Sequence, residues 1–397
     1  MMRTGSPWLI AYLAALVALG QLSIGVYVPS MPSLVGTFHT DAATVKLTLT
    51  VFLAGIAVSQ LAHGPLSDRF GRRPVLLGGL ALFATASAGC ALAPSVEWLI
   101  VGRFLQAVGA CSGQVVARAI ARDLFEGAQM ARVMALVGLV LSLGPAIAPV
   151  LGGVVHGLAG WAANFLILAS VGVVMLWVTL QAMRETNHHR NLMAIHLPTM
   201  LANYAMLAGH RVFLGYTLVL GFIFGTMFAY VAGSPFIMIG RLGLSPAVYG
   251  ALSLLNVAGY ALGTVLARRL AARHPPRLVV AAGTAIAFAG GLGMLAFPLA
   301  GIISVPAMIA PMMVFLTGMG LVIPSCMAGG MQPFPRLAGS ASALMGFGQM
   351  GLGMAGTLLV GWLDGFRPHA MFEAFFLMSL AAVLAYLGLL WRAPAER

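Results

Sequence analysis

The chain has 397 residues, of which 60% are hydrophobic and 8% charged, and its mean hydropathy is +0.98. Soluble domains carry about 25% charged residues, so this composition excludes a soluble enzyme or binding module and points to several membrane crossings. The formal net charge of +12 sits in single and paired basic residues between apolar runs, which is how membrane topology is written and not how a nucleic-acid surface is built.

An apolar run of about 18 residues or more crosses the hydrocarbon core as a helix, and the short alternating segments of a membrane barrel are absent. The first run, 8–31, is too long for a signal-peptide core and has no small-residue cleavage site before the polar segment at His39, so it is read as a retained helix. Further runs follow at 46–63, 74–93, 98–118, 132–157 and 161–183. They resume at 213–236, 247–267, 278–299, 305–328, 338–363 and 371–391. Pro74 after Arg73 marks one helix start, and Ser245-Pro246 reads as an N-cap followed by proline in the first turn. The expected fold is an all-α membrane protein of twelve transmembrane helices in two six-helix halves. Residues 1–183 form the first half, 184–211 a central loop and 212–397 the second half.

With both termini on one side, that side holds seventeen of the 21 basic residues, the opposite side holds Lys46, Arg241 and Arg367, and Arg103 falls within a span. Basic residues concentrate on the cytoplasmic side of membrane proteins, so both termini are expected there. The sequence thus describes a multi-pass membrane protein with a lipid bilayer as its surroundings.

Charge gathers in "GPLSDRFGRRP" between the second and third spans. Gly64 and Gly71 are expected to permit tight turns there. Asp68 is the one acid among Arg69, Arg72 and Arg73, placed to pair with an arginine or a helix N-terminus. The second half has a comparable basic loop, "ARRLAARHPPR", a weak internal repeat of the kind seen in transporters built from parallel halves.

Arg103 is the sharpest signal inside a span, because a central arginine costs about 2.5–3.5 kcal/mol on insertion scales. It either snorkels to the nearby helix end or shares a face with Gln106 and Gln114, one that a water-filled cavity would explain. Tyr27, Gln60, Tyr230, Ser234, Asn256 and Gln349 are isolated polar groups in apolar runs. Each either lines the cavity or pairs with neighbouring backbone. In the fifth span, Gly144, Pro145, Pro149, Gly152 and Gly153 are expected to give a kinked, closely packed helix with a mechanical role. The nine histidines show no metal-ligand spacing, and neither a metal nor a cofactor is expected. There is no P-loop, so ATP is not the energy source in this chain. No span offers the acid–base or nucleophile–base pair an enzyme needs, and rings of charge expected of a channel are missing.

These stretches also carry a family likeness. "GPLSDRFGRRP" resembles the loop signature of the major facilitator superfamily, "RFLQAVGA" its fourth-span motif with a buried arginine, and "GPAIAPVLGG" the fifth-span motif of its antiporters, with Ala148 where glycine is usual. More narrowly, "YVPSMP", "SPFIMIGRLGLSP" and "AGSASALMGFGQM" are similar to the bicyclomycin-resistance and chloramphenicol-efflux family of drug:proton antiporters.

The resemblance implies a secondary transporter of the bacterial inner membrane, expected as a monomer, that exports small amphipathic compounds by alternating access, coupled to protons. It also implies a cytoplasmic latch. In it Asp68 rests on the start of the eleventh span near Ala338–Ser340, and Arg69 and Arg72 meet an acid at the end of the fourth, with Asp123 first choice and Glu126 second. One departure stands out. Where the family usually has a span-1 acid, this chain has Gly25, and none of its nine acids falls at mid-membrane. Arg103 therefore has no evident carboxylate partner, which raises an alternative reading: a transporter of an anionic metabolite or siderophore whose negative group meets Arg103. Asp68 or His63 would then be left to carry any proton.

Overall fold

The computed structural model describes residues 7–187 and 193–391; within these, the side chains of Pro7, Ala128, Arg336 and residues 131–132, 134–143 and 145–146 are outside the description. All regular structure among the described residues is helical. The chain runs through α1 (Pro7–Gly25), α2 (Met31–Thr37), α3 (Ala42–Phe70), α4 (Arg72–Ala91), α5 (Val96–Leu124) and α6 (Gly127–Ala182). After α7 (Leu197–Gly209) it continues through α8 (Arg211–Pro235), α9 (Pro246–Ala271), α10 (Pro276–Leu299), α11 (Val305–Met331), α12 (Ala338–Asp364) and α13 (Ala370–Ala385).

Among the described residues eleven helical stretches are long and apolar enough to cross a membrane. The twelfth expected crossing lies within α6, which changes direction at Gly160, where φ is +78° and only glycine sits without strain. Several starts are capped as their residues dictate. Ser95 accepts from the Trp98 amide at the start of α5, Ser245 from Val248 at α9, and Ser304 from Ala307 at α11.

The charged stretch departs from expectation. Gly64 does not turn the chain: residues 64–70 continue α3, with Ser67 donating to the Gly64 carbonyl. The turn is made by Gly71 alone, at φ +104°. Pro65 interrupts nothing, because a single missing amide is tolerated where the remaining hydrogen bonds hold.

Two compact units are present. One comprises residues 1–41, 51–197 and 245–250; the other comprises 42–50, 198–244 and 251–397. They depart from the expected halves at two helix starts: residues 42–50 of α3 group with the second unit, and 245–250 at the start of α9 with the first. Within the first unit, α1 and α4 each pack on α5 and α6. In the second, α8 packs on α11, α12 and α13, and α10 on α11 and α13. Small residues set these distances, as membrane helix packing requires. A Cβ on Gly109 of α5 would lie 2.5 Å from the Phe83 amide nitrogen of α4, and one on Gly290 of α10 would lie 2.6 Å from that of Phe315 of α11.

Candidate functional site

The α3–α4 turn collects the charged motif into one network. Arg72 donates through Nη1 to Asp68 Oδ1 at 2.5 Å and Ser67 Oγ at 2.7 Å, and through Nε to Asp123 Oδ2 at 3.0 Å. One guanidinium thus ties the end of α3 to the end of α5. Arg69 stands apart with its guanidinium 5.3 Å from the Phe70 ring centroid, and Arg73 donates to the Leu180 carbonyl at 3.0 Å. The resemblance paired both Arg69 and Arg72 with Asp123; here Arg72 makes that pair, and the Arg69 guanidinium lies by the Phe70 ring.

Glu185, just beyond α6, joins from the other side. Its carboxylate accepts from the backbone amides of Arg72 (2.8 Å), Arg73 (3.1 Å), Thr186 (3.1 Å) and Asn187 (2.9 Å). Partial burial pushes its pKa up, but these four amides favour the charged form more strongly and hold it below the usual carboxylate range. Nothing in the sequence motif marks this residue, since its partners on α4 lie over a hundred positions away.

Arg103 is completely buried inside the first unit. Its guanidinium carbon lies 4.1 Å from the Phe52 ring centroid, 4.5 Å from Tyr27 and 5.8 Å from Phe165. Nη1 donates to the Ser23 carbonyl at 3.1 Å and to Gln106 Oε1 at 2.6 Å, while Nε and Nη2 have no hydrogen-bond acceptor among the described residues. Gln106 in turn donates to Ser87 Oγ of α4 at 2.8 Å. The snorkelling alternative does not apply, and Arg103 and Gln106 do not face open space: both turn into the packing of α1, α3, α4, α5 and α6. Rings and carbonyls replace a carboxylate. A desolvated cation–π contact is worth about 2 kcal/mol, the same order as the insertion cost of about 2.5–3.5 kcal/mol. Phe52 and Phe165 carry no sequence signal that separates them from ordinary apolar residues.

The fifth-span motif forms a close seam within the first unit. A Cβ on Gly152 would run into the Val26 carbonyl, one on Gly153 into that of Pro246, and one on Gly250 into that of Pro149. Gly144 lies against Gln21. The side chain of Pro145 is outside the description, and His188 and His189 of the central loop lie outside the described residues.

The remaining polar candidates are scattered. Gln60 and Asn256 are buried, the Asn256 amide oxygen with no donor among the described residues, and Gln114 and Gln349 are half-buried. Tyr230 and Ser234 are buried in α8; the Tyr230 hydroxyl lies 3.9 Å from the Met238 sulfur. In the second unit Lys46, at the start of α3, bonds Asp364 at the end of α12 and lies 4.8 Å from the Phe236 ring centroid, a pair unmarked in the sequence.

With this geometry in place, comparison with known proteins supplies the class. Residues 13–357 match the family described as the Major Facilitator Superfamily, and the chain belongs to it. It is 32% identical over 388 residues to the MFS-type transporter YdgK of Bacillus subtilis, covering 96% of this chain and 95% of that one. It is 30% identical to the chloramphenicol resistance protein of Pseudomonas aeruginosa (96% and 89% covered) and 30% identical to multidrug resistance protein D of Escherichia coli (99% and 98% covered). Among solved structures, a bacterial homologue of the human lysosomal transporter Spinster matches with a TM-score of 0.71 at 16% identity, over 96% of this chain and 94% of that one. The chain is therefore a multi-pass transporter of small molecules in the bacterial inner membrane, and its likeness to the bicyclomycin-resistance and chloramphenicol-efflux branch holds over its whole length.

Proposed function

We propose that the protein exports small amphipathic compounds in exchange for protons, by alternating access between two six-span halves with both termini in the cytoplasm. The observation that carries this reading is the end-to-end match to two relatives named for drug resistance. In this reading the Asp68–Arg72–Asp123 network is a cytoplasmic latch that holds the ends of α3 and α5 together while that side is shut. The glycine seam of α6 is a sliding surface, since backbones in contact move past one another without side chains to unlock.

Arg103 serves as a fixed internal cation. Its two nitrogens without acceptors support a second reading, in which a negative or strongly accepting substrate group reaches them when the Tyr27–Phe52–Phe165 cage parts. The test is uptake into proteoliposomes of chloramphenicol, a cationic dye and an aromatic carboxylate, each with and without an imposed pH gradient. Gradient-driven movement of the neutral or cationic compound supports the first reading; preference for the carboxylate supports the second. If the pH gradient moves none of them, proton-coupled export is wrong.

A further inference from the structure

We propose that Glu185 is the positioning residue of the α3–α4 latch: its carboxylate fills the N-terminus of α4 and thereby sets Arg72 where its guanidinium reaches both Asp68 and Asp123. The inference rests on the latch reading above and adds a residue that no motif marks.

The first amides of a helix have no partner within it, and a local Ser, Thr, Asp or Asn usually supplies one. At α4 the residue in that place is Gly71, which has no side chain to offer. Glu185 does the job from just beyond the end of α6, taking the amides of Arg72 and Arg73 on its two oxygens. Gly71 is glycine for two reasons: its φ of +104°, and the fact that a Cβ there would land on the Glu185 carboxylate.

The same carboxylate also folds the start of the central segment around itself, through the amides of Thr186 and Asn187. Once folded, that segment touches the rest of the latch. The Asn187 side-chain amide donates to the Asp68 carbonyl at 3.0 Å, and Thr186 Oγ1 donates at 3.1 Å to Asp123 Oδ2, the oxygen that Arg72 Nε also reaches. Glu185 pairs with no guanidinium in this network. It acts on backbone, so the Arg72 charge is left entirely to Asp68 and Asp123. Losing the carboxylate frees the α4 start and the linker together, and Arg72 loses its register.

The test uses full-length protein in lipid nanodiscs. Amide exchange at Arg72 and Arg73 is compared in wild type, Glu185→Gln and Gly71→Ala, at matched pH so that intrinsic rates cancel. Because hydrogen bonds to a charged group are the strong kind, exchange is expected to rise about tenfold or more in both variants. The wild-type protection is expected to fall towards the Glu185→Gln level on acidification, a profile that a merely space-filling residue would not give. Positioning is read by a double-mutant cycle: Asp123→Asn should lower the melting temperature in the wild-type background and by much less in the Glu185→Gln background. Unchanged exchange in the variants, or strictly additive melting shifts, overturns the proposal. Transport by Asp123→Asn is measured in parallel. A full rate there sinks the latch as a gate, while exchange and coupling still decide whether Glu185 positions Arg72.

Discussion

Gly25 and Ala148 meet where α1 crosses α6, so closely that a Cβ on Gly25 would overlap the Ala148 methyl group. In the family this chain resembles, an acid is usual at the first place and a glycine at the second. Here the two are reversed in size: the methyl group stands where the glycine is usual, and the glycine stands where the acid is usual. The missing acid is thus a packing fact as well as a chemical one, since nothing larger than hydrogen fits at 25 while Ala148 is present.

The first prediction follows from that contact. Gly25→Ala should lower the melting temperature in detergent, because overpacking a closed seam costs about 1–3 kcal/mol. Adding Ala148→Gly should recover most of the loss. Gly25→Asp should insert poorly alone and well with Ala148→Gly, and only that double variant is a fair test of whether an acid at 25 creates pH-dependent transport. A single variant as stable as wild type would show that the helices simply shift apart.

A second prediction concerns Lys46, which is 3% exposed, and Asp364. The Thr50 and Thr357 hydroxyls bond at 2.7 Å further along the same two helices, so the pair holds one end of a seam. Breaking a buried pair costs about 3–5 kcal/mol, whereas replacing both partners by apolar residues is often neutral. Asp364 keeps some hydration, so the loss lies at the low end. Asp364→Asn should lower the melting temperature clearly, and Lys46→Met with Asp364→Leu should return it near wild type. If the double variant is the less stable of the two, the pair is a source of stability in its own right.

The twelve crossings were legible because each is a run of apolar residues bounded by charge, and a membrane leaves few other outcomes. Arg103 was legible as an anomaly for the same reason. Its surroundings were not. Phe52 and Phe165 look like any apolar residue until three-dimensional packing turns their faces to a guanidinium, and no local pattern tells that Gln106 points at α4 instead of into open space. Arg72, one of the two arginines the resemblance pairs with Asp123, reaches it and also Asp68, while Gly64 proved helical because an apolar helix does not end merely where charge begins. Glu185 stayed hidden because a backbone cap from a distant segment has no local pattern.

The third prediction is that Arg103 needs its plane as well as its charge. Lysine keeps the charge but lacks the flat guanidinium that stacks on Phe52 and Tyr27 while donating to Ser23 and Gln106. Arg103→Lys should fold and insert yet transport at a rate lower by about tenfold, and Arg103→Ala should lose both activity and thermal stability. Phe52→Leu, which removes the nearest ring, should resemble Arg103→Lys. Normal transport by Arg103→Lys would show that any cation suffices at that position.

The last prediction concerns acid. Glu185 has its pKa held below the usual carboxylate range, where an unperturbed glutamate titrates near about 4.3. A carboxylate whose folded pKa is lowered contributes stability that is fully present above the unfolded value and is lost as pH falls through the folded one. The melting temperature of wild type should therefore exceed that of Glu185→Gln by a constant margin at neutral pH. The margin should begin to shrink as pH drops through the ordinary glutamate range, and should close once the folded group itself takes up its proton. Thr186→Ala, which removes a hydroxyl from Asp123 but leaves the carboxylate cap intact, should lower the curve without changing its shape. The measurement is a series of thermal melts of the three proteins from neutral to acid pH in one detergent. A margin that stays constant to the lowest pH at which wild type folds would mean that the carboxylate charge contributes nothing there, and that Glu185 holds the α4 start through shape alone.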